Sequence, residues 1–301
     1  MPPGPVRVIV PYPAGGPADV LARQLEPAMR ASLGQPLLIQ NLPGAGGGLG
    51  IQRLLAGPLD GSQALAGTPS DTIVAPLLNP VLGYRPEQLR LIGIASAAPV
   101  VLVGGTHLPQ ATLASLLAAA RAPEAAGLSY GSYGVGSHAH LLAEEFAAKL
   151  KLTLLHVPYA GAAPLLQDLL AGRIDIAFLP LAGALRDAIA QGRVRLLAFA
   201  SASRNLHHPE VPTVNEAAGL SGFEHDLWVG LFASAALPEE ALAPWRAALH
   251  AALRDPEFRR LKLAEGSMPG NPMDASSAQR FYEAECARYR RLAGGLPRAV
   301  R

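Results

Sequence analysis

Two short loops in this sequence combine a glycine turn with the start of a helix, an arrangement that binds anions through backbone amides. The first loop, PAGG at Pro13–Gly16, follows the strand-like run VRVIV and precedes Pro17, which suits the first position of a helix. The second loop, GVGS at Gly134–Ser137, lies between a predicted strand and a predicted helix. Neither loop contains Arg or Lys, so main-chain N–H groups would have to hold a negatively charged ligand.

The second loop also matches a dinucleotide-binding pattern. Gly134–Ala139 reads G-x-G-x-x-A, and that pattern requires an acidic residue near the end of the next strand to hold the ribose. The next predicted strand, LTLLHVPY, ends in Pro158-Tyr159 instead. We therefore expect a smaller anion at this helix start rather than a dinucleotide.

Other catalytic and metal-binding patterns are not met. The loop Gly44–Gly50 reads GAGGGLG without the Lys-Ser/Thr ending of a phosphate-binding loop, and no G-x-S-x-G elbow occurs. His140 and Glu144 share a helix face, but His138 does not, which argues against a metal site. We expect no enzyme, no metal and no cofactor.

Four single residues are candidates for a polar or aromatic role at the site. Asp19 lies in the first turn of the first predicted helix, where it either favours the helix dipole or receives an ammonium group of the ligand; both alternatives stay open. Asp175 lies within the strand-like run IDIAF, where burial requires a partner. Tyr12 and Tyr159 each lie beside a proline after a strand, where each either lines the site or only packs.

Polar loops follow further predicted strands. LLIQN ends at Asn41, and the strand Ala64–Gly67 is followed by Thr68-Pro69-Ser70. The segment HVPYAGAAPLLQDLLAG repeats the strand, glycine turn and helix order, with Gly161 at the turn. In open α/β sheets, ligands bind beyond the carboxyl ends of the strands, so these loops are expected to meet at one site.

The pattern predicts two α/β lobes. We place lobe 1 at residues 6–100 and 228–301 and lobe 2 at residues 101–227. Leu91–Ala95 and Pro99–Val103 are expected as separate strands. Three amphipathic C-terminal helices, Glu239–Arg254, Pro256–Ala264 and Ala275–Leu292, are expected to cover lobe 1.

The composition excludes several classes of protein. The 301 residues carry a net charge of +2 and 5% aromatic residues, which argues against nucleic-acid binding. No run of about 18 apolar residues occurs, so no direct membrane insertion is expected. Cys286 is the only cysteine, so no intrachain disulfide can form.

These motifs together resemble the Bug family, the receptors of tripartite tricarboxylate transporters. The resemblance covers residues 6 to about 292 and depends on the order and spacing of the following segments: VPYPAGGPAD at Val10–Asp19, Asn41 with GAGG at Gly44–Gly47, Tyr130–His138, HVPY at His156–Tyr159, Gly172–Asp175, VPTV at Val211–Val214, and WVGL at Trp228–Leu231.

The resemblance implies a type II periplasmic-binding-protein fold, a Venus flytrap of two α/β lobes with a central cleft and hinge strands. It implies capture of a small organic carboxylate, such as a dicarboxylate, an acidic amino acid or an aromatic acid, with membrane transporter subunits as partners. The predicted ligand-binding residues are Tyr12, Ala14, Gly15, Gly16, Asp19, Asn41, Thr68, Ser70, Ser132, Gly134, Gly136, Ser137, His138, Tyr159, Gly161, Ala162 and Asp175.

The implied location is the periplasm, and a monomer is expected. The first residues, MPPGPV, show neither the basic nor the apolar region of an export signal, and we expect the printed sequence to start after that signal. Two other functions stay open. A sensor that reports its ligand to a signalling partner fits the same resemblance, whereas a dinucleotide-using α/β enzyme depends on the G-x-G-x-x-A pattern alone.

Overall fold

The computed structural model describes residues 2–122 and 127–295. Within these residues the chain divides into two compact units, which are described one at a time. Unit 1 consists of residues 2–97 and 228–294, and unit 2 of residues 98–122 and 127–227.

The helices and strands follow one another in this order: β1 (Val6–Val10), α1 (Pro17–Leu33), β2 (Leu37–Asn41), α2 (Gly48–Leu55), β3 (Gln63–Gly67), α3 (Ala75–Leu78), β4 (Leu89–Gly105), α4 (Leu113–Ala120), β5 (Leu128–Ser132), α5 (His138–Leu150), β6 (Leu154–Pro158), α6 (Ala162–Leu170), β7 (Ile176–Pro180), α7 (Ala184–Ala190), β8 (Val194–Phe199), α8 (Val214–Ala218), β9 (Asp226–Ser234), α9 (Glu239–Arg254), α10 (Pro256–Ala264), β10 (Met268–Pro269) and α11 (Ala275–Gly295).

The sheet of unit 1 brings three loops to one edge. β1 pairs in parallel with both β2 and β3, and β3 pairs antiparallel with β9. Because β1, β2 and β3 run the same way, their last residues, Val10, Asn41 and Gly67, lie toward the same edge. The loops that follow these strands carry the predicted binding residues of unit 1.

α1 forms where the sequence predicts it. Pro17 is its first residue, and Gly34 ends it in the left-handed conformation at φ 66°, which glycine adopts without steric cost. Leu21, Leu25 and Met29 are buried on one face. This spacing fixes the start of α1 against the edge of the sheet.

The C-terminal helices cover unit 1, as predicted. Leu242 and Trp245 of α9 and Phe258 of α10 belong to the same buried cluster as the inward face of α1. The indole Nε1 of Trp245 donates a 2.7 Å hydrogen bond to the carbonyl of Gly61, which satisfies the polar end of this buried ring.

The sheet of unit 2 has β5 between β6 and β7, all three parallel, and β4 pairs antiparallel with β7 and β8. The prediction of two separate strands around Pro99 was wrong, because β4 is one continuous strand of 17 residues. Pro99 lacks an N–H, but its carbonyl accepts a 2.8 Å bond from the amide of Leu181. The ladder therefore continues past the proline on its acceptor side.

Candidate functional site

One carboxylate holds the turn between β1 and α1. Oδ2 of Asp19 accepts a 2.8 Å hydrogen bond from the backbone amide of Gly15. Arg23 Nε lies 3.1 Å from Oδ1 and 3.0 Å from Oδ2 of the same carboxylate. The hydrogen bond from Arg23, supported by those from Gly15 and Asn41, lowers the pKa of Asp19 to about 2. Asp19 is 2% exposed and stays ionised at neutral pH.

Asn41, at the end of β2, ties the same turn to the neighbouring strand. Its Nδ2 donates to the carbonyl of Tyr12 at 3.1 Å and to Oδ1 of Asp19 at 3.0 Å, and its Oδ1 accepts from Arg23 at 3.3 Å. Both amide hydrogens are therefore used within the loop. Asn41 and Asp19 therefore position the turn, and their roles as ligand contacts stay predictions.

Tyr12 belongs to a buried polar group that sequence reasoning missed. Its hydroxyl donates to Oδ1 of Asp71 at 2.7 Å and lies 3.0 Å from Oγ1 of Thr68. Oδ1 of Asp71 also accepts from the amide of Thr68 at 2.8 Å and from its hydroxyl. Thr68 is 8% exposed and supports Tyr12 through Asp71, and its contact with a ligand stays a prediction.

Asp71 is buried because a π-helical turn, Ser70–Val74, starts directly after β3 and turns its side chain inward. Burial raises the pKa of Asp71 to about 6, and its Oδ2 has no hydrogen-bond partner. The backbone approaches closely here, since a Cβ on Gly47 would lie 2.7 Å from Cβ of Asp71. The sequence contains one signal for this turn. Thr68 followed three residues later by Asp71, before an apolar run, is a pattern that marks the start of a helix.

The residues Ala14, Gly15 and Gly16 form the exposed part of the first loop. Gly15 has φ 82°, and its amide is occupied by Asp19, so it is not a donor for a ligand. Gly16 precedes α1 without a side-chain cap, and Pro17 has no N–H. The first-turn amides of Ala18 and Asp19 have no intrahelical acceptor, and both residues are buried, at 3% and 2% exposure.

The second loop, Gly134–Ser137, is held largely by its own neighbours. Oγ of Ser132 donates to the carbonyl of Gly134 at 3.0 Å, and the amide of Ser137 donates to the same carbonyl at 3.1 Å. Ser137 Oγ caps α5 by accepting from the amide of His140. Ser132 is fully buried and hydrogen-bonds within the loop, and its contact with a ligand stays a prediction.

Three histidines surround this loop. The amide of Gly136 donates a 2.9 Å bond to Nδ1 of His140, and Nε2 of His156 lies 2.7 Å from Oγ of Ser132. His138 is 1% exposed, with its ring edge against His225 at a centroid distance of 5.8 Å. The histidine side chains thus support the loop from inside, and a ligand contact of His138 stays a prediction.

The third loop of this kind begins α6. The hydroxyl of Tyr159 donates to Oδ2 of Asp168 at 3.0 Å, and Arg173 pairs with Oδ1 at 2.7 Å, so Tyr159 is anchored to its own helix. Gly161 precedes α6 without a side-chain cap, and Ala162 is exposed. The amides of Ala162 and Ala163 in the first turn lack intrahelical acceptors, and both residues are exposed.

Asp175 is at the wrong edge of the sheet for the predicted site. It precedes β7, and its Oδ2 accepts 2.7 Å bonds from the amide and the hydroxyl of Ser129, near the start of β5. Its Oδ1 lies 3.0 Å from Nε2 of His107. Because β5 and β7 are parallel, Asp175 lies at their amino ends, whereas Gly134 follows the carboxyl end of β5. The prediction of Asp175 as a ligand residue is therefore corrected.

Comparison with known proteins assigns the family. The model of the tripartite tricarboxylate transporter family receptor matches residues 21–296. The chain belongs to this receptor family. BugT of Bordetella pertussis is 32% identical over 269 residues, which are 88% of this chain and 81% of BugT.

Two solved structures extend the comparison. MatC from Rhodopseudomonas palustris, determined with bound malate, is 29% identical with a TM-score of 0.85 over 97% of this chain and 100% of its own. Rpa4515 from R. palustris, determined with adipate, is 29% identical with a TM-score of 0.84 over 97% of both chains. The predicted fold class, the α/β type II periplasmic-binding-protein fold, is confirmed. The family and its structural neighbours are solute-binding receptors, so the receptor is not an enzyme.

A surface cavity of unit 1 lies apart from all these loops. It encloses about 670 Å³ and is lined by residues that include Glu87, Glu239 and Cys286. None of the predicted ligand-binding residues lines this cavity. Burial raises the pKa of Cys286 to about 11, so its thiol stays protonated. Over the ranges that the structure describes, no helix has both the length and the apolar character needed to cross a membrane.

Proposed function

We propose that this receptor captures a small dicarboxylate in the periplasm and delivers it to a membrane transporter of the tripartite tricarboxylate type. The family assignment supports a receptor. The malate and adipate bound by MatC and Rpa4515 support a dicarboxylate as the ligand. We expect the receptor to act as a monomer.

The observation that carries this proposal is the chemistry of the helix starts. α1 in unit 1 and α6 in unit 2 both begin after a glycine without a side-chain cap, and no Arg or Lys lies in Tyr12–Asp19 or Tyr159–Ala163. First-turn amides and the helix dipole favour a carboxylate at each start. We name the start of α1 and the start of α6 the two proposed half-sites, each argued from the contacts of its own unit.

The other loops have supporting roles in this proposal. Asp19 and Asn41 hold the first loop in its conformation. The hydrogen-bonded group of Tyr12, Thr68 and Asp71 supports this loop. The Gly134–Ser137 turn remains a proposed contact through the backbone of Val135 and His138, because the amide of Gly136 already has an acceptor. Ser70, half-buried after β3, stays in the proposal as a hydroxyl contact.

A thermal-shift screen tests the proposed ligand class. The panel contains succinate, malate, adipate, glutamate, nicotinate and acetate, with NAD and ATP as nucleotide competitors. A ligand at 100 times its dissociation constant stabilises the native state by about 2.7 kcal/mol. We expect a clear rise in Tm with at least one dicarboxylate and little change with acetate. A rise with nucleotides alone would contradict the proposal.

A further inference from the structure

We infer that His140 is a positioning residue whose neutral imidazole fixes the Gly134–Ser137 turn, and that protonation of His140 releases this turn. We call the hydrogen bond from the amide of Gly136 to His140 the lock. The effect of its release on ligand affinity rests on the function proposed above, whereas the lock itself does not. Four observations on unit 2 carry the inference.

The first observation is the direction of one hydrogen bond. The backbone N–H of Gly136 points to Nδ1 of His140 at 2.9 Å. A backbone N–H can only donate, so Nδ1 must be the unprotonated nitrogen and the ring must carry its hydrogen on Nε2. His140 is 2% exposed, so water does not readily replace this acceptor. Gly136 has φ 76°, a conformation that the turn needs held in place.

The second observation fixes the tautomer of His156. The hydroxyl of Ser132 donates its hydrogen to the carbonyl of Gly134 at 3.0 Å. The same oxygen accepts from the amide of Gly134 at 3.3 Å. Nε2 of His156, 2.7 Å from that oxygen, must therefore donate. One histidine thus holds each glycine of the turn, His140 directly and His156 through Ser132.

The third observation is the stacking of the two rings. The imidazoles of His140 and His156 lie parallel within 9° at a centroid distance of 4.1 Å, and Tyr130 lies parallel to His156 at 4.8 Å. The hydroxyl of Tyr130 donates a 2.5 Å bond to Glu144. The stack sets the plane of His140, so its Nδ1 stays aimed at Gly136.

The fourth observation concerns charge. The titratable groups around His140 are His156 on β6, Tyr130 on β5 and Glu144 on its own helix. On the next turns of α5, Glu145 pairs with His225, which contacts His138. Burial and the neighbouring His156 lower the pKa of His140 to about 4, and burial also lowers the pKa of His156. Both rings are therefore neutral at pH 7.

Acid reverses the role of His140. A protonated ring carries an N–H on Nδ1, which then faces the N–H of Gly136, donor against donor. The parallel ring of His156 at 4.1 Å opposes a second charge, so a proton on either ring disfavours one on the other, and only the proton on His140 removes the acceptor of Gly136. Loss of the acceptor leaves the Gly136 amide without a partner, and the turn is expected to open below about pH 4.

Two variants separate positioning from packing. His140→Asn places an amide oxygen near the position of Nδ1 and cannot titrate, whereas His140→Leu fills similar space without an acceptor. Amide hydrogen exchange of Gly136, measured by NMR on the ligand-free protein, reports the lock directly. In the wild type we expect the protection of Gly136 to fall as the pH drops from 7 to 4, reaching a roughly tenfold loss once His140 is fully protonated, the size expected for one lost hydrogen bond. His140→Asn should stay protected at both pH values, and His140→Leu should be unprotected at pH 7.

The overturning results are specific. Equal protection of Gly136 in His140→Leu and in the wild type would overturn the lock. If His140→Leu does not fold, the test uses His140→Asn. A fall in the protection of Gly136 at pH 4 that is as large in His140→Asn as in the wild type would show that titration of His140 does not release the turn. Calorimetric titration with the dicarboxylate that gives the largest thermal shift is then run on the wild type and on His140→Asn. A lock without any carboxylate binding would contradict the proposed function and leave the lock intact.

Discussion

The amide of Gly15 donates a 2.8 Å hydrogen bond to Oδ2 of Asp19, four residues along the chain. Because of this bond, the amide of Gly15 is not available to donate to an anionic ligand. The carboxylate instead fixes the turn from inside, and the first-turn amides of α1 are the anion-binding groups that we propose. In this loop Asp19 therefore sets the backbone conformation, whereas the proposed contacts with an anion come from backbone amides.

Asp19→Asn should destabilise the protein by about 2 kcal/mol at pH 7, because it removes charge-assisted bonds from Arg23 and Gly15. The pKa of Asp19 is lowered from 3.8 to about 2, so the unfolded chain binds this proton first as pH falls. The contribution is complete above pH 4 and is lost toward pH 2. Urea unfolding at pH 7 and pH 2 measures this. Glu26→Gln, which removes an exposed ion pair on α1, is the matched control and should cost less than about 1 kcal/mol.

We expect Asp71 to make the free energy of unfolding depend on pH in the opposite direction. Its pKa is raised from 3.8 to about 6 by burial, so the native state keeps this proton to a higher pH than the unfolded chain does. Stability therefore falls as pH rises from 4 to 6, by up to about 3 kcal/mol from this group. Asp71→Asn should remove that fall. Unfolding free energies at pH 4 and pH 8 for both proteins give the comparison, and an unchanged pH dependence in the variant would refute the assignment.

Ala162→Pro tests the proposed half-site of unit 2. Proline is accepted at the first helical position, so α6 should form normally while one exposed N–H is removed. We expect the affinity for a bound dicarboxylate to fall roughly tenfold, the effect of losing one hydrogen bond to a charged group. Ala162→Ser, which keeps the N–H, is the control and should bind nearly as the wild type does. Equal affinity of both variants would remove α6 from the site.

Asp175→Asn separates stability from binding. The variant weakens the acceptor for Ser129 at the amino ends of β5 and β7, which should cost about 1–3 kcal/mol of stability. Dicarboxylate affinity should stay within about twofold, because this end of the strands lies away from the proposed half-sites. Calorimetry and thermal unfolding on the same sample measure both quantities, and a large loss of affinity would restore Asp175 to the site.

The local part of the architecture was readable from the sequence. The VRVIV run, Pro17 and Gly34 mark β1 and both ends of α1, and α9 and α10 begin and end where their patterns predict. β4 was divided wrongly because a proline inside an apolar run predicts a break, whereas Pro99 needs only its carbonyl for the ladder. A single sequence does not show which side of a proline a neighbouring strand uses.

The site was readable only where contacts are short in sequence. The glycine turns and helix starts were found because strand, turn and helix follow one another directly. Tyr12 and Asp71 are 59 residues apart, and Ser132 and His156 are 24 apart, so their pairing depends on the sheet order. Asp175 was misplaced because the IDIAF pattern does not show that β7 starts only at Ile176.

Calorimetric titration with a dicarboxylate, its monoamide and its diamide tests most directly whether main-chain amides at helix starts bind carboxylates. The ligand is the dicarboxylate with the largest thermal shift. Backbone N–H groups and helix dipoles favour a negative charge, so affinity should fall roughly tenfold or more for each carboxylate replaced by an amide. Binding of the neutral diamide as tight as that of the dicarboxylate would contradict the account.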